Sequence, residues 1–237
     1  MALDPEQAVQ AWVTMALDTS LIGYARFEAA RELSALDATR AADLLTEIAA
    51  DLTLDGTTRM SAARQSGWLD DPRAADLLAV IAADSLLQGD DRLMAAEALA
   101  DLGDTRVAAL LALIAAPPSA ELATDAATSS AFPCTSAGTR IIAAGQLSAL
   151  GDDRGTDLLT AFITDQTLAV GDRVAAAERL SQAGDGRTGD MLAELAADFG
   201  PSPERFYVAR LLGNLGDERF AKLPAEGISG FPDPNDV

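Results

Sequence analysis

Arginine returns in this chain at a fixed interval, and the interval dictates the kind of fold that can follow. It stands at Arg26, Arg59, Arg92, Arg140, Arg173 and Arg205, in steps of 33, 33, 48, 33 and 32 residues. A second arginine follows each by fourteen, at Arg40, Arg73, Arg106, Arg154, Arg187 and Arg219. Four residues later comes a Leu or Met, at Leu44, Leu77, Leu110, Leu158, Met191 and Leu223. A chain with this self-similarity is an array of one supersecondary unit, repeated about six times and interrupted once.

Within a unit the apolar residues lie three, four, seven and ten after the first arginine, as in Ala29, Ala30, Leu33 and Leu36, which is one face of a helix. A Gly-Asp turn follows in four units, and the pair Leu77-Leu78 with Ile81 typifies the stripe of a second helix. Neither helix buries its face alone, so stacked units share a core. Hydrophobic residues make up 49% of the 237-residue chain and aromatics only 5%, so that core is built of Ala and Leu, which suits close-packed helices. The fold class is all-α. Residues 5–17 read as an unpaired second helix, since Trp12, Met15, Asp18 and Leu21 stand 33 before Leu45, Ile48, Asp51 and Leu54. The repeats therefore occupy 1–223 with a half-repeat cap at the start, and 224–237 is a Gly/Pro-rich tail whose Ile228 and Phe231 are expected to fold back over the last unit.

The unit R-x-x-A-A-x-x-L-x-x-L-G-D-x-R-x-x-x-L-L, seen as RIIAAGQLSALGDDRGTDLL from Arg140 to Leu159, resembles the short bacterial HEAT-like repeat, an armadillo-type family. The likeness covers roughly residues 5–223. Asp37 and Asp70 depart from it where later units have Gly, and Ser66-Gly67-Trp68 interrupts the second unit's apolar stripe. The resemblance implies a right-handed α-solenoid that mainly holds other proteins, with second helices along its concave face.

Charge narrows the function. The chain carries 37 acidic and 17 basic residues, a net charge of −20, and no histidine. Twelve of the basic residues are the repeat arginines. Asp51, Asp84, Asp165 and Asp198 end second helices shortly before Arg59, Arg92, Arg173 and Arg205, which suggests pairing across the turn. Arg106, Arg154, Arg187 and Arg219 follow Asp104, Asp152, Asp185 and Asp217 by two. The remaining five cations form no basic groove, so nucleic acid is not an expected partner. Without histidine there is no His-based zinc site or nucleophile–His pair, and no catalytic residue, metal or cofactor is assigned. No apolar run of eighteen residues occurs and the N-terminus has no signal-like pattern, so a cytoplasmic protein without a membrane partner is expected.

Binding residues are sought among the exposed departures from the repeat. Asp43, Asp76, Asp157 and Asp190 recur in the first turn of second helices. They are either surface aspartates paired three residues back to Arg or an acidic stripe on the concave face that attracts a basic or helical protein segment. Trp68 stands where other units carry surface residue types, and is either a partner anchor or a filler beside Ser66 and Gly67. An insertion at 117–138, between the third and fourth repeats, contains Pro117-Pro118 and Phe132-Pro133-Cys134. It is expected to pack over Met94 and Ile142, or else to be a spacer. The reading is a protein-interaction scaffold; the alternative is an accessory lyase or other small-molecule enzyme using the groove, and a third is an acidic decoy imitating nucleic acid.

Overall fold

A computed structural model describes residues 4–117, 135–198 and 203–219. Among the described residues there are twelve α-helices and no strand. They fall into two compact units divided between Ser136 and Ala137. The first holds α1 (Pro5–Leu17), α2 (Gly23–Leu33), α3 (Ala38–Ala50), α4 (Gly56–Trp68), α5 (Ala74–Ala83), α6 (Gly89–Asp101) and α7 (Val107–Ala115). The second holds α8 (Ala137–Ala149), α9 (Asp153–Thr164), α10 (Val170–Gln182), α11 (Thr188–Asp198) and α12 (Pro203–Asn214). The expected half-repeat at 5–17 is α1, and the helix α8 already begins at Ala137, inside the stretch read as insertion.

Consecutive helices pack on each other throughout each unit. In the first unit α2, α4 and α6 also pack side by side, as do α1, α3, α5 and α7, giving two layers. In the second unit α8, α10 and α12 form the corresponding row. The cause is the small-small-Leu pattern. Ala29, Ala30 and Leu33, and likewise Ala95, Ala96 and Leu99, are buried, so alanines let helices approach while each leucine fills the gap between them. A fully buried leucine contributes about 1.5–3 kcal/mol. The approach is closest at Gly155, where a Cβ would lie 2.3 Å from the Ser148 backbone nitrogen. The residue ten after the arginine does not join this face: Leu36, Leu102, Leu150 and Leu215 lie at or beyond the helix end and are exposed.

Two turns alternate. After five of the six described first helices a residue in the left-handed region reverses the chain: Gly103, Gly151, Gly184 and Gly216 have φ between 69° and 79°. Asp70 adopts the same conformation at φ 58° despite its Cβ, closing the turn with Asp70 N to Gly67 O and Asp71 N to Ser66 O. Asp37 does not. It caps α3 instead, accepting from the Arg40 backbone N–H at 3.0 Å. After α1, α3, α5 and α9 an aspartate closes the other turn. Asp18, Asp51, Asp84 and Asp165 share φ of −73° to −74° and ψ of 99° to 102°. Oδ1 of Asp18, Asp51 and Asp165 accepts from both the N–H and the hydroxyl of the Ser or Thr two residues on. At Asp84 it accepts from the Leu86 N–H alone.

Candidate functional site

The repeat arginines build two distinct charge ladders, one buried and one exposed. In the buried ladder, Arg26, Arg59, Arg92 and Arg173 each donate Nε–H to the carbonyl ten residues earlier, of Ala16, Ala49, Ala82 and Ile163, at 2.8–3.2 Å. Those carbonyls belong to the ends of the preceding second helices, so each cation sits at the negative end of a helix dipole rather than opposing one. The pairing expected across the turn is replaced by a longer rung. Arg26 reaches Asp51 at 3.1 Å, Arg59 reaches Asp84 at 3.6 Å and Arg173 reaches Asp198 at 3.0 Å, each twenty-five residues downstream. Asp51 thus has two jobs: Oδ1 closes its turn and Oδ2 takes the guanidinium.

Arg92 lacks this rung. Twenty-five residues after Arg92 stands Pro117, where the insertion begins, and the Arg92 guanidinium has instead a long 3.5 Å bond to the Thr135 hydroxyl. Burial pushes the Arg92 pKa down, with Asp84 only opposing it from a distance. Arg140 is also lowered by burial, with Asp165 opposing, and its guanidinium lies 4.8 Å from the centroid of the Phe162 ring.

The exposed ladder joins neighbouring second helices. Arg73, Arg106, Arg154, Arg187 and Arg219 each grip the aspartate two residues before, Asp71, Asp104, Asp152, Asp185 and Asp217, through Nε and a terminal nitrogen. These bonds hold Asp104 and Asp217 at a pKa of about 2 and raise the partner arginines above their ordinary value. Three of these arginines then extend one step back along the stack. Arg73 bonds Asp43 at 2.6 Å, Arg106 bonds Asp76 at 2.9 Å and Arg219 bonds Asp190 at 2.8 Å. Arg187 is raised in part by the charge of Asp157.

The structure thus places Asp43, Asp76, Asp157 and Asp190 in matching positions, with a partner other than the Arg three residues back. Asp76 and Asp190 lie in the first turn, as expected; Asp43 and Asp157 lie a turn further in, because α3 and α9 start earlier. The side chains of Asp43, Asp76 and Asp190 remain 59%, 80% and 79% exposed, each using only Oδ1 in its bond. The aspartate-to-arginine spacing of 30, 30, 30 and 29 residues was the sequence signal for this ladder. Arg40 stands outside it: Ala38 replaces the gripping aspartate and Gln10 the distant one.

Between the ends of successive second helices lie shallow, open depressions. One of about 360 Å3 is lined by Thr39, Asp43, Leu69, Asp71 and Arg73 among others, and its counterpart of about 320 Å3 by Glu6, Gln10, Leu36 and Arg40 among others. Among the described residues no group of three or more Cys, Asp or Glu is disposed to hold a metal ion, and no helix is long and apolar enough to cross a membrane. Compared with known proteins, the chain matches no family model, no curated protein and no solved structure.

Trp68, the last residue of α4, is 63% exposed, with the Arg64 guanidinium 5.2 Å from its ring centroid. The space beside Gly67 is taken by Leu102 of the next unit, whose methyls would lie 3.3 Å from a Cβ there. The tryptophan is therefore a surface ring and not a filler. Phe132, Cys134, Ile228 and Phe231 lie outside the described residues, as does most of the insertion; Met94 is exposed and Ile142 half-buried.

Proposed function

We propose that the chain is a HEAT-like α-solenoid of about six repeats with an N-terminal half-repeat, wound right-handed, and that it serves as a scaffold binding a basic or helical protein segment. One observation carries the reading. Within each compact unit exposed aspartates recur at the same place on neighbouring second helices, Asp43 and Asp76 in the first and Asp157 and Asp190 in the second, and Asp43, Asp76 and Asp190 each have one oxygen tied to an arginine and the second left for a ligand. A pre-oriented carboxylate offers a basic side chain a charge-assisted bond with little ordering of its own side chain, and repetition at the pitch of the stack favours an elongated partner. The pairing with arginine lowers the net field of the row, so recognition depends on short contacts more than on long-range attraction. Trp68 with Arg64 offers a stacking anchor elsewhere on the surface.

The test is capture of binding proteins from native lysate at low and raised salt, comparing wild type with Asp76→Asn/Asp157→Asn/Asp190→Asn. A basic protein retained by wild type and lost with the triple change supports the reading. Equal retention by both proteins removes the aspartate row as the binding site and leaves Trp68→Ala as the next variant to try.

A further inference from the structure

The second helices of the first unit present an outer face that changes character across the row. Glu47, Val80 and Leu113 each stand seven residues after the second arginine of their repeat, Arg40, Arg73 and Arg106, and all three are exposed. The register causes this exposure, since Ala161 and Glu194, seven after Arg154 and Arg187 in the second unit, are exposed as well. Four residues earlier the matching positions hold Asp43, Asp76 and Ala109, again exposed. On this face α3 therefore shows two carboxylates, α5 one carboxylate and a valine, and α7 only Ala109 and Leu113.

The apolar end is a property of α7 itself. Its nine residues, VAALLALIA, contain no polar side chain, so the side that meets solvent is as apolar as the side in the core. Leu110, Leu111 and Ile114 are buried, while Leu113 is left 51% exposed and Val80, at the same register on α5, 58%. The two helices pack side by side, as do α3 and α5. At the acidic end Asp43 and Asp76 have only Oδ1 taken by an arginine, and Glu47 adds a third carboxylate. Neighbouring helices lie about 8–10 Å apart, so about 16–20 Å separates α3 from α7.

Resting on the scaffold reading above, we propose that this face of the first unit docks one amphipathic helix lying across α3, α5 and α7, with lysine or arginine in the half over α3 and leucine or isoleucine in the half over α7. Charge complementarity sets the first half, because Asp43, Glu47 and Asp76 meet it. Val80 and Leu113 set the second. At 1.5 Å per residue a span of about 16–20 Å takes about 11–13 residues of helix. A helix suits the apolar end better than an extended strand. Val80 and Leu113 lie on two neighbouring helices, each with an exposed alanine a turn away, Ala83 and Ala109. A helical stripe about 100° wide covers such an area, and a single line of strand side chains does not. The partner so defined keeps its cations and its apolar residues in separate halves along the axis, which basic charge alone does not require.

The experiment is fluorescence anisotropy of the full chain at low and raised salt with two labelled helix-forming peptides of one composition and about 13 residues each. In the first, lysines fill one half of a single face and leucines the other half; in the second, lysine and leucine are mixed along that face. The chain is used as wild type, Asp43→Asn/Asp76→Asn, Val80→Gln/Leu113→Gln and the control Leu52→Gln on the turn after α3. All these side chains are exposed, so the helical circular dichroism should be unchanged. For wild type and Leu52→Gln a Kd on the order of 10–100 µM is expected with the segregated peptide, and binding about tenfold or more weaker with the mixed one. Val80→Gln/Leu113→Gln should lose about tenfold or more at both salt concentrations, and the asparagine pair should lose mainly at low salt. Equal binding of the two peptides, binding of neither, equal loss in Leu52→Gln, or no loss in Val80→Gln/Leu113→Gln overturns the docked helix. If the asparagine pair still weakens binding in such a case, the acidic scaffold stands without it; binding that the asparagine pair leaves untouched at low salt overturns both. Self-association of wild type in sedimentation velocity that Val80→Gln/Leu113→Gln abolishes also overturns the proposal, because a second copy would then fill the face.

Discussion

Replacing Arg59 and Arg92 by methionine tests the buried ladder, because the two sites share one interaction and differ in the other. Methionine keeps most of the buried stem and adapts to the space, which limits the cavity contribution. Each substitution removes a charged donor from the carbonyl at a helix end, Ala49 or Ala82, at 3.2 and 3.1 Å, a loss of about 1.5–3 kcal/mol. At Arg59 the change also leaves Asp84 without its guanidinium, and that carboxylate is only a quarter exposed. We assign roughly a further 1 kcal/mol to this, the upper range for a pair that water still partly screens. At Arg92 no carboxylate is stranded, and removing the guanidinium relieves a buried charge whose depressed pKa already signals poor compensation. Arg59→Met is therefore expected to destabilise by about 2.5–4 kcal/mol and Arg92→Met by about 1–2.5 kcal/mol. Urea unfolding followed by far-ultraviolet circular dichroism measures both, with stabilities compared only where the slopes agree. If Arg92→Met costs as much as Arg59→Met, the twenty-five-residue rung contributes nothing and the carbonyl bond alone explains these arginines.

Acid should attack the exposed ladder late. Asp104 and Asp217 titrate at about 2 in the folded chain against an ordinary 3.8, and Asp71, Asp152 and Asp185 are shifted the same way by their arginines. Depressed carboxylate pKa values add stability that is complete above about 3.8 and lost as pH falls through about 2, so the helical signal should hold from neutrality to about pH 4 and fall below it. Loss beginning above pH 5 would contradict this. Asp70→Gly should stabilise by up to about 1 kcal/mol in thermal or urea unfolding, since it relieves a left-handed residue with a Cβ; a destabilised variant would mean that the Asp70 side chain matters more than its backbone. Trp68→Ala should change stability by less than about 0.5 kcal/mol, as expected of a surface ring, and a loss above about 2 kcal/mol would show that it packs after all.

Much of the architecture was legible because the cause of the fold is a repeated pattern. The spacing of the arginines located the five hairpins from α2–α3 to α10–α11, and the 33-residue offset of Trp12 and Asp18 located α1. Individual partners were harder to read. Asp51 and Arg59 are close in sequence, which suggested a local pair, but the arginine's stem runs back to the preceding helix end and its head meets a carboxylate one helix further on. That choice depends on helix packing, which sequence proximity does not encode. The aspartates of the second helices illustrate the same limit. Their offset of 29 or 30 residues to Arg73, Arg106, Arg187 and Arg219 was present in the letters, yet only the stacking distance decides between a partner three residues away and one about thirty away. Trp68 was ambiguous for a related reason, since Leu102, which settles what fills the space at Gly67, comes from the following unit.

The rungs also bear on how such a chain can change length. Every buried rung spans twenty-five residues and every exposed one twenty-nine or thirty, both shorter than the unit. Excising residues 59–91 would bring Arg92 to the Ala49 carbonyl and Arg106 to Asp43, while Arg59 and Asp84 leave together. No charge is stranded by the cut. A whole unit can therefore be lost or duplicated without stranding a charge, provided the join keeps the 33-residue step.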